Sequence, residues 1–237
     1  MKNYAIGDIR NVALIAHGGA GKTSVAEAML YDAGVTERLG RTADGNSVMD
    51  HDPEEVRRQV SINASIAPVE WRGVKINIVD TPGYFDFVAE VKSSLRVVDS
   101  AVVVVDAVGG VEVGTELVWK YADEHGLPRV VYITKMDREN ADFDKCLEGL
   151  RAAFGKNLVP LVLPVGAEAD FRGVIDLVQE KVLTWEEGNG REVKTEALSP
   201  EQAEAVAAHR DALVEAAAEN DDELIMKYLE GETLTPD

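Results

Sequence analysis

The sequence predicts a mostly parallel, doubly wound α/β sheet followed by a smaller α+β subdomain, and three observations carry that prediction. Apolar runs with a β-branched bias recur at 12–16 (VALIA), 76–79 (INIV), 101–105 (AVVVV) and 130–134 (VVYIT), as expected of strands covered on both faces. Helical patterns separate them at 22–33, 87–98, 111–126 and 142–155; strand alternating with helix implies parallel strands joined by crossovers. After Asn157 the rhythm changes to short strands and then helices.

Taken in order, the first strand and first helix are joined by a glycine-rich turn. Two extended stretches in IAPVEWRGVKINIVD meet at Arg72-Gly73, which reads as an antiparallel hairpin placing one edge strand on the sheet. The segment 34–63 has no sustained period and carries GRTADGN and DHDP, so a long loop is expected there, and long loops inside compact domains are usually functional or mobile. Beyond Asn157, LVPLVLPVG, FRGVIDLV and KVLTWEEGNGREVK read as short strands, the last pair turning at Asn189-Gly190. A helix then starts with Ser199 as N-cap, Pro200 at its first position and Gln202 completing a capping box. A second short helix runs through DELIMKYLEG with Gly231 as its stop. The division expected is a core over 1–157 and an α+β subdomain over 158–237.

Composition narrows the function classes. At 237 residues and 46% hydrophobic content the chain can bury an ordinary core. One cysteine, Cys146, leaves no internal disulfide framework and fits a reducing compartment, so a cytoplasmic protein is expected. No apolar stretch reaches the length of a membrane span, and no secretory leader pattern opens the chain. The net charge of −19 argues against a broad phosphate-backbone footprint and so against free DNA as a partner. The acid is concentrated at one end: residues 186–237 hold 15 Asp or Glu against 4 Lys or Arg, a net of −11. A solvated helix face and a docking surface for a basic partner both fit that run.

Three turns carry the chemistry. AHGGAGKTS (Ala16, His17, Gly18, Gly19, Ala20, Gly21, Lys22, Thr23, Ser24) follows the first strand and opens the first helix, the context a phosphate-binding loop requires. Its glycines let successive N–H groups face phosphate oxygens, helped by the helix N-terminus. Lys22 is expected to reach the β- and γ-phosphates and the Thr23 hydroxyl to ligate Mg²⁺. The strict pattern has Gly where this chain has Ala16. DTPG (Asp80, Thr81, Pro82, Gly83) ends a buried strand at the carboxyl edge where ligands of open α/β sheets collect. Asp80 is expected to reach Mg²⁺ through a water, and the Gly83 N–H to bind the γ-phosphate and sense its loss. TKMD (Thr134, Lys135, Met136, Asp137) supplies base selection. An ionised Asp137 accepts from guanine N1–H and its exocyclic amine, a pairing that can discriminate against adenine by roughly 10⁴. Lys135 would lay its aliphatic stem over the base.

In this order the three motifs resemble those of the translational GTPases. AHGGAGKT, RRQVSI, DTPGYFDF, TKMDREN, DFRGVIDL and DDELIMKYLEG resemble, over essentially the whole chain, the GTP-binding domain of bacterial elongation factor G, most closely an elongation-factor-G-like paralogue. The resemblance implies a Ras-like P-loop fold, with the region after Asn157 similar to the family's inserted G′ subdomain. It also implies that the chain stops before the family's last guanine-contacting loop and closing strand and helix. GTP or GDP with Mg²⁺ is the implied cofactor, and the ribosome the implied partner, with the acidic 186–237 region as a surface for its stalk protein and a monomer as the implied state.

Four positions depart from the family pattern. Ser61 stands where the resemblance implies a Mg²⁺-ligating threonine; serine keeps the oxygen and loses the methyl that restricts the rotamer. Gly19 replaces an aspartate, which puts any extra cation there in doubt. Thr134 replaces an asparagine and has one hydroxyl in place of an amide, so a weaker tether of base to phosphate loop is expected. Tyr84 replaces the histidine that orients the attacking water. A phenol, which titrates near pH ~10, is no useful base at neutral pH, although its hydroxyl can still position water. Losing a proton-handling group typically costs about 10²–10⁴ in rate, so slow or partner-dependent hydrolysis is expected, with Tyr84, Lys22 and Gly83 the catalytic candidates and Thr23, Ser61 and Asp80 the metal candidates. Two alternatives remain open: a non-catalytic guanine-nucleotide-dependent switch binding the ribosome or another partner, and an ATP-using P-loop enzyme, which Asp137 disfavours.

Overall fold

The computed structural model describes residues 3–186, 189–219 and 221–230, and the chain divides into two compact units, Met1–Lys135 and Met136–Asp237. In the first, five strands form one sheet: β1 (Ile9–Ile15), β2 (Ser65–Trp71), β3 (Val74–Asp80), β4 (Ser100–Asp106) and β5 (Arg129–Thr134), in the order β2-β3-β1-β4-β5. β1 runs parallel to both β3 and β4, and β4 to β5, whereas β2 is antiparallel to β3. This is the predicted sheet with its one antiparallel edge strand. Pro68 sits within β2, tolerable because an edge strand has one side with no ladder partner to donate to. The β2–β3 turn is Arg72-Gly73, both at positive φ (48° and 86°), the backbone of a two-residue hairpin turn.

Consecutive burial identifies the middle of the sheet. Ala13, Leu14 and Ile15 are each 0% exposed, which requires cover on both faces. Helices α1 (Lys22–Asp32), α3 (Val88–Leu95) and α4 (Val113–Glu124) supply it. The α1 side packs Ala26 and Leu30 against Leu14, Ala67, Val69 and Ile78.

The long loop expected over 34–63 has short elements of its own. It contains a 3₁₀ turn (Thr42–Asp44) and the helix α2 (Pro53–Arg58), started by an Asp52 capping box with Glu55 and by Pro53. Six residues make fewer than two turns, too short for an apolar period to register. The loop is also anchored: Met49 is 1% exposed within the α1-side core.

The second unit has its own antiparallel sheet of β6 (Val162–Val165), β7 (Gly173–Asp176), β8 (Lys181–Glu186) and β9 (Asn189–Ala197), in sequential order, with helices α5 (Phe143–Phe154), α6 (Pro200–Ala218) and α7 (Asp222–Leu229). Leu163, Ile175, Leu177 and Val182 of the sheet region bury against Val206 of α6, with Phe143 and Leu213 at the margin. The Ser199–Gln202 capping box is formed, and Cys146 is buried on α5 as a small core residue. Asn189 and Gly190 begin β9 instead of forming the turn; the turn itself and Gly231 lie outside the described residues. Among the described residues no helix is long and apolar enough to cross a membrane.

Met49→Ala is expected to destabilise the first unit by about 2–5 kcal/mol, the usual cost of truncating a buried methionine, read as a shift of its urea-unfolding midpoint. A near-neutral outcome would mean that the long loop is not part of the core.

Candidate functional site

Parallel register brings the ends of the strands to one rim. Leu14 pairs with Asp80, Ile15 with Val103, and Asp106 with Thr134, so the turns that follow β1, β3, β4 and β5 leave the same edge of the sheet. The glycine-rich loop leaves β1 and enters α1 through Gly21, the helix N-cap, at φ 97°. Only glycine adopts that conformation without strain. Lys22 begins the helix and is 5% exposed, with Nζ 3.4 Å from the His17 carbonyl. Thr23, 9% exposed, donates its hydroxyl to Asp80 Oδ2 at 2.7 Å, and its Oγ1 lies 3.1 Å from Ser61 Oγ. The metal candidates Thr23, Ser61 and Asp80 therefore meet, although 38 and 57 residues separate Thr23 from the other two.

The DTPG turn closes over this loop. Thr81, fully buried, donates its hydroxyl to the Leu14 carbonyl at 2.7 Å, tying the turn to the end of β1. A Cβ on Gly83 would stand 2.5 Å from Lys22 Nζ and 2.8 Å from Gly18 Cα, so the backbones approach more closely than any side chain at 83 allows. Tyr84 follows, half-exposed, its ring near enough to Gly18 that a Cβ there would touch it at 3.5 Å. His17 packs edge-on against Phe85 with centroids 6.1 Å apart, and its Nε2 lies 3.6 Å from Glu112 Oε1.

Thr134, the expected weak tether, keeps one contact with the phosphate loop: its hydroxyl lies 2.7 Å from the Ala20 carbonyl and 3.2 Å from that of Val105. Lys135, at φ 60°, pairs its ammonium with Asp106, while Val108 N–H, at 2.8 Å, also donates to that carboxylate. Asp106 thus fixes the head of the lysine whose stem was expected over the base, a partner the TKMD motif does not reveal. Met136 and Asp137 belong to the second unit, where the Met136 carbonyl accepts from Glu168 N–H at 2.8 Å.

Sequence reasoning also missed Asp50. It is 3% exposed and faces the same charges: burial raises its pKa, with a hydrogen bond to Ser61 and the Lys22 ammonium opposing. Its signal, one of two acids in MDHDP, has no meaning until the loop is folded. Desolvation likewise pushes the Asp80 carboxyl up to about 7, against the Thr23 hydrogen bond and Lys22, and lowers the Lys22 pKa despite the attraction of Asp80 and Asp50. Asp80 Oδ1 and Asp50 Oδ2 are buried without a hydrogen-bond partner. Two orphaned carboxylate oxygens, two hydroxyls and a buried ammonium at the mouth of a glycine loop fit a polyphosphate carried with a hard divalent cation, because each buried polar group then gains a partner of opposite character.

The Asp80 shift makes a signed prediction. An aspartate whose folded pKa lies above its ordinary 3.8 holds its proton more tightly when folded. Its contribution is therefore intact below about pH 4 and is lost as pH rises through about 7. In chelator-containing buffer without nucleotide, stability of the first unit should fall across that window by a few kcal/mol more in the parent than in Asp80→Asn. Parallel pH profiles of the two proteins by denaturant titration would contradict it. Gly83→Ala should weaken nucleotide binding at least tenfold with little loss of secondary structure, read by titration calorimetry and circular dichroism.

Comparison with known proteins agrees with this geometry. The family model described as Elongation factor Tu GTP binding domain matches residues 7–226. A crystal structure of a protein from Thermus thermophilus superposes with a TM-score of 0.87 at 40% sequence identity, covering 96% of this chain and 34% of that one; this chain thus spans about a third of that protein's length. With the phosphate loop, the closing DTPG turn and the sheet that positions them in place, the chain belongs to the translational GTPases, as an elongation-factor-G-like GTP-binding domain that binds guanine nucleotide.

Proposed function

We propose that this domain serves a ribosome-associated factor of the elongation factor G type that binds GTP with Mg²⁺ and hydrolyses it slowly or only with a partner's help. The observation that carries this reading is the meeting of Thr23, Ser61 and Asp80 beside Lys22 under the Gly83 turn. In this reading Lys22 and the N–H groups of residues 18–24 hold the phosphates, Thr23 and Ser61 ligate the cation, and Asp80 acts on it through water. Gly83 N–H reports the γ-phosphate. Asp137 selects guanine, with Met136 beside it and Lys135 beneath the base. When bound, the cation would neutralise developing charge on the phosphates. Residues 158–237 act as an inserted G′-like subdomain, and their acidic surface docks a basic ribosomal stalk partner.

Tyr84 sets the rate. Half-exposed beside Gly18, its hydroxyl can orient water but cannot take up a proton as a histidine can, so the barrier keeps its proton-transfer share. Tyr84→His, in the protein that carries this domain, should speed single-turnover GTP cleavage on ribosomes by about 10²-fold or more; equal and fast rates in both proteins would defeat the proposal. GTP should outcompete ATP in binding, and stalk-protein capture should weaken between low and moderate salt. The same tyrosine favours a second reading, a non-catalytic switch driven by nucleotide exchange alone. GTP left intact after long incubation with ribosomes would select it.

A further inference from the structure

Carboxylates on α1 and α3, and one on α2 within the loop itself, hold the stretch that carries Ser61. Glu27 of α1, 1% exposed, accepts on Oε1 from Ser47 Oγ (2.6 Å), Val48 N–H (2.6 Å) and Met49 N–H (3.0 Å). Glu55 of α2, also 1% exposed, accepts on Oε1 from Ile62 N–H (2.9 Å) and Asn63 N–H (3.0 Å), and on Oε2 from Asp52 N–H (3.2 Å). Glu90 of α3 accepts from Ala64 N–H at 3.1 Å. The residues on either side of Ser61 are thereby fixed: 47–49 to α1, 62 and 63 to α2 of the same loop, and 64 to α3. Between them Ser61 stands 3.1 Å from Thr23 Oγ1.

A buried carboxylate is expensive unless its oxygens accept several donors, and N–H groups aimed at an ionised acceptor make stronger bonds than neutral pairs. Here both buried glutamates direct those bonds to the backbone of one loop. A loop capped only by its own short polar side chains would need neither.

We propose that Glu27 and Glu55 are positioning residues of the nucleotide site, clasping loop 34–63 so that the Ser61 hydroxyl is held against Thr23. The proposal rests on the reading of Ser61 as a cation ligand used with GTP. Every partner in the clasp belongs to the chain, so these bonds act together with whatever contacts the nucleotide adds. The fraction of molecules with the loop in place then multiplies the affinity of any ligand that needs Ser61, and leaves untouched one that does not.

The two glutamates differ in a way that a variant can read. Glu55 uses both oxygens as acceptors, so an amide at that position must point a donor at another donor. All three Glu27 bonds fall on Oε1, while Oε2 has no hydrogen-bond partner and lies against Gly40, so a glutamine there can keep the accepting oxygen.

The test uses the full 237-residue chain with Mg²⁺, GDP and guanosine 5′-(β,γ-imido)triphosphate. Glu55→Ala should weaken the triphosphate analogue by about tenfold or more and GDP by less than about twofold. Glu55→Gln should match Glu55→Ala, whereas Glu27→Gln should stay near the parent and Glu27→Ala should not. With the triphosphate analogue bound, the amides of Val48, Met49, Ile62 and Asn63 should be protected from hydrogen exchange in the parent and lose protection in the alanine variants. Equal weakening of both ligands, the reverse order of the glutamine variants, or open-loop exchange rates in the analogue-bound parent would each overturn the clasp. Ser61→Ala with an unchanged preference for the analogue would overturn the cation role of Ser61 instead, and is distinguishable because the exchange pattern and the Glu55→Ala effect would persist.

Discussion

The hydrogen bond from Thr23 to Asp80, 2.7 Å long and buried, is the contact on which the site depends. It joins the first turn of α1 to the end of β3, and so sets the phosphate loop against the turn that closes over it. Neither side chain would be tolerated at this depth for stability alone. Asp80 keeps one oxygen unpaired, Asp50 does the same nearby, and Lys22 is buried where its charge is disfavoured. A core of this kind is less stable than an apolar one of the same shape. It is the arrangement expected where a charged ligand completes the polar network, and the fold provides the rigidity to hold the unpaired groups apart until then.

That rigidity comes from the sheet. In a parallel sheet every strand points its carboxyl end the same way, so one register decides where all the following turns emerge. With Leu14 opposite Asp80 and Asp106 opposite Thr134, the glycine loop, the DTPG turn, the Asp106 carboxylate and the Thr134 hydroxyl are delivered together. The antiparallel β2 carries the chain back from the long loop and pairs along the whole of β3. Because Met49 and Ser65 also bond or pack to the same region, Ser65 Oγ reaching the Met49 carbonyl at 2.7 Å, the loop between α1 and β2 is built into the domain at several points.

Most of the sheet was legible because buried parallel strands and their helices leave period and composition signals that depend only on neighbours in sequence. The phosphate loop and DTPG were legible for the same reason, each being a short backbone device with fixed residue requirements. The parts that were not legible all depend on partners distant in the chain. Asp50, Glu27 and Asp106 look like ordinary surface acids until folding removes them from water. Helix α2 did carry its start signal in Asp52, Pro53 and Glu55, but lacked the length to show a period. Thr134 was expected to give a weaker tether; its hydroxyl lies within reach of the Ala20 and Val105 carbonyls, with one proton to share between them where an amide would offer two. The Asn189-Gly190 signal marked the right hairpin and the wrong residues, since both lie in β9 and Asn189 pairs with Glu186.

The net charge of −19 raises a question for a domain that binds a polyanion, and the structure shows how the acid is partitioned. Glu27 and Glu55 are neutralised in effect by backbone N–H donors, and Asp106 by Lys135. A large share of the remainder belongs to residues 186–237, in the second unit. What faces the phosphate loop directly is Lys22 together with Asp50 and Asp80, with Glu112 beside His17, so side-chain charge alone gives no positive excess. Attraction for phosphate must then come from the helix N-terminus and the loop N–H groups, which are short-ranged, and from the proposed divalent cation, which converts the two carboxylates from repulsive neighbours into indirect ligands. Such a site discriminates by geometry at contact instead of by long-range field, in keeping with the roles proposed for Ser61 and Gly83.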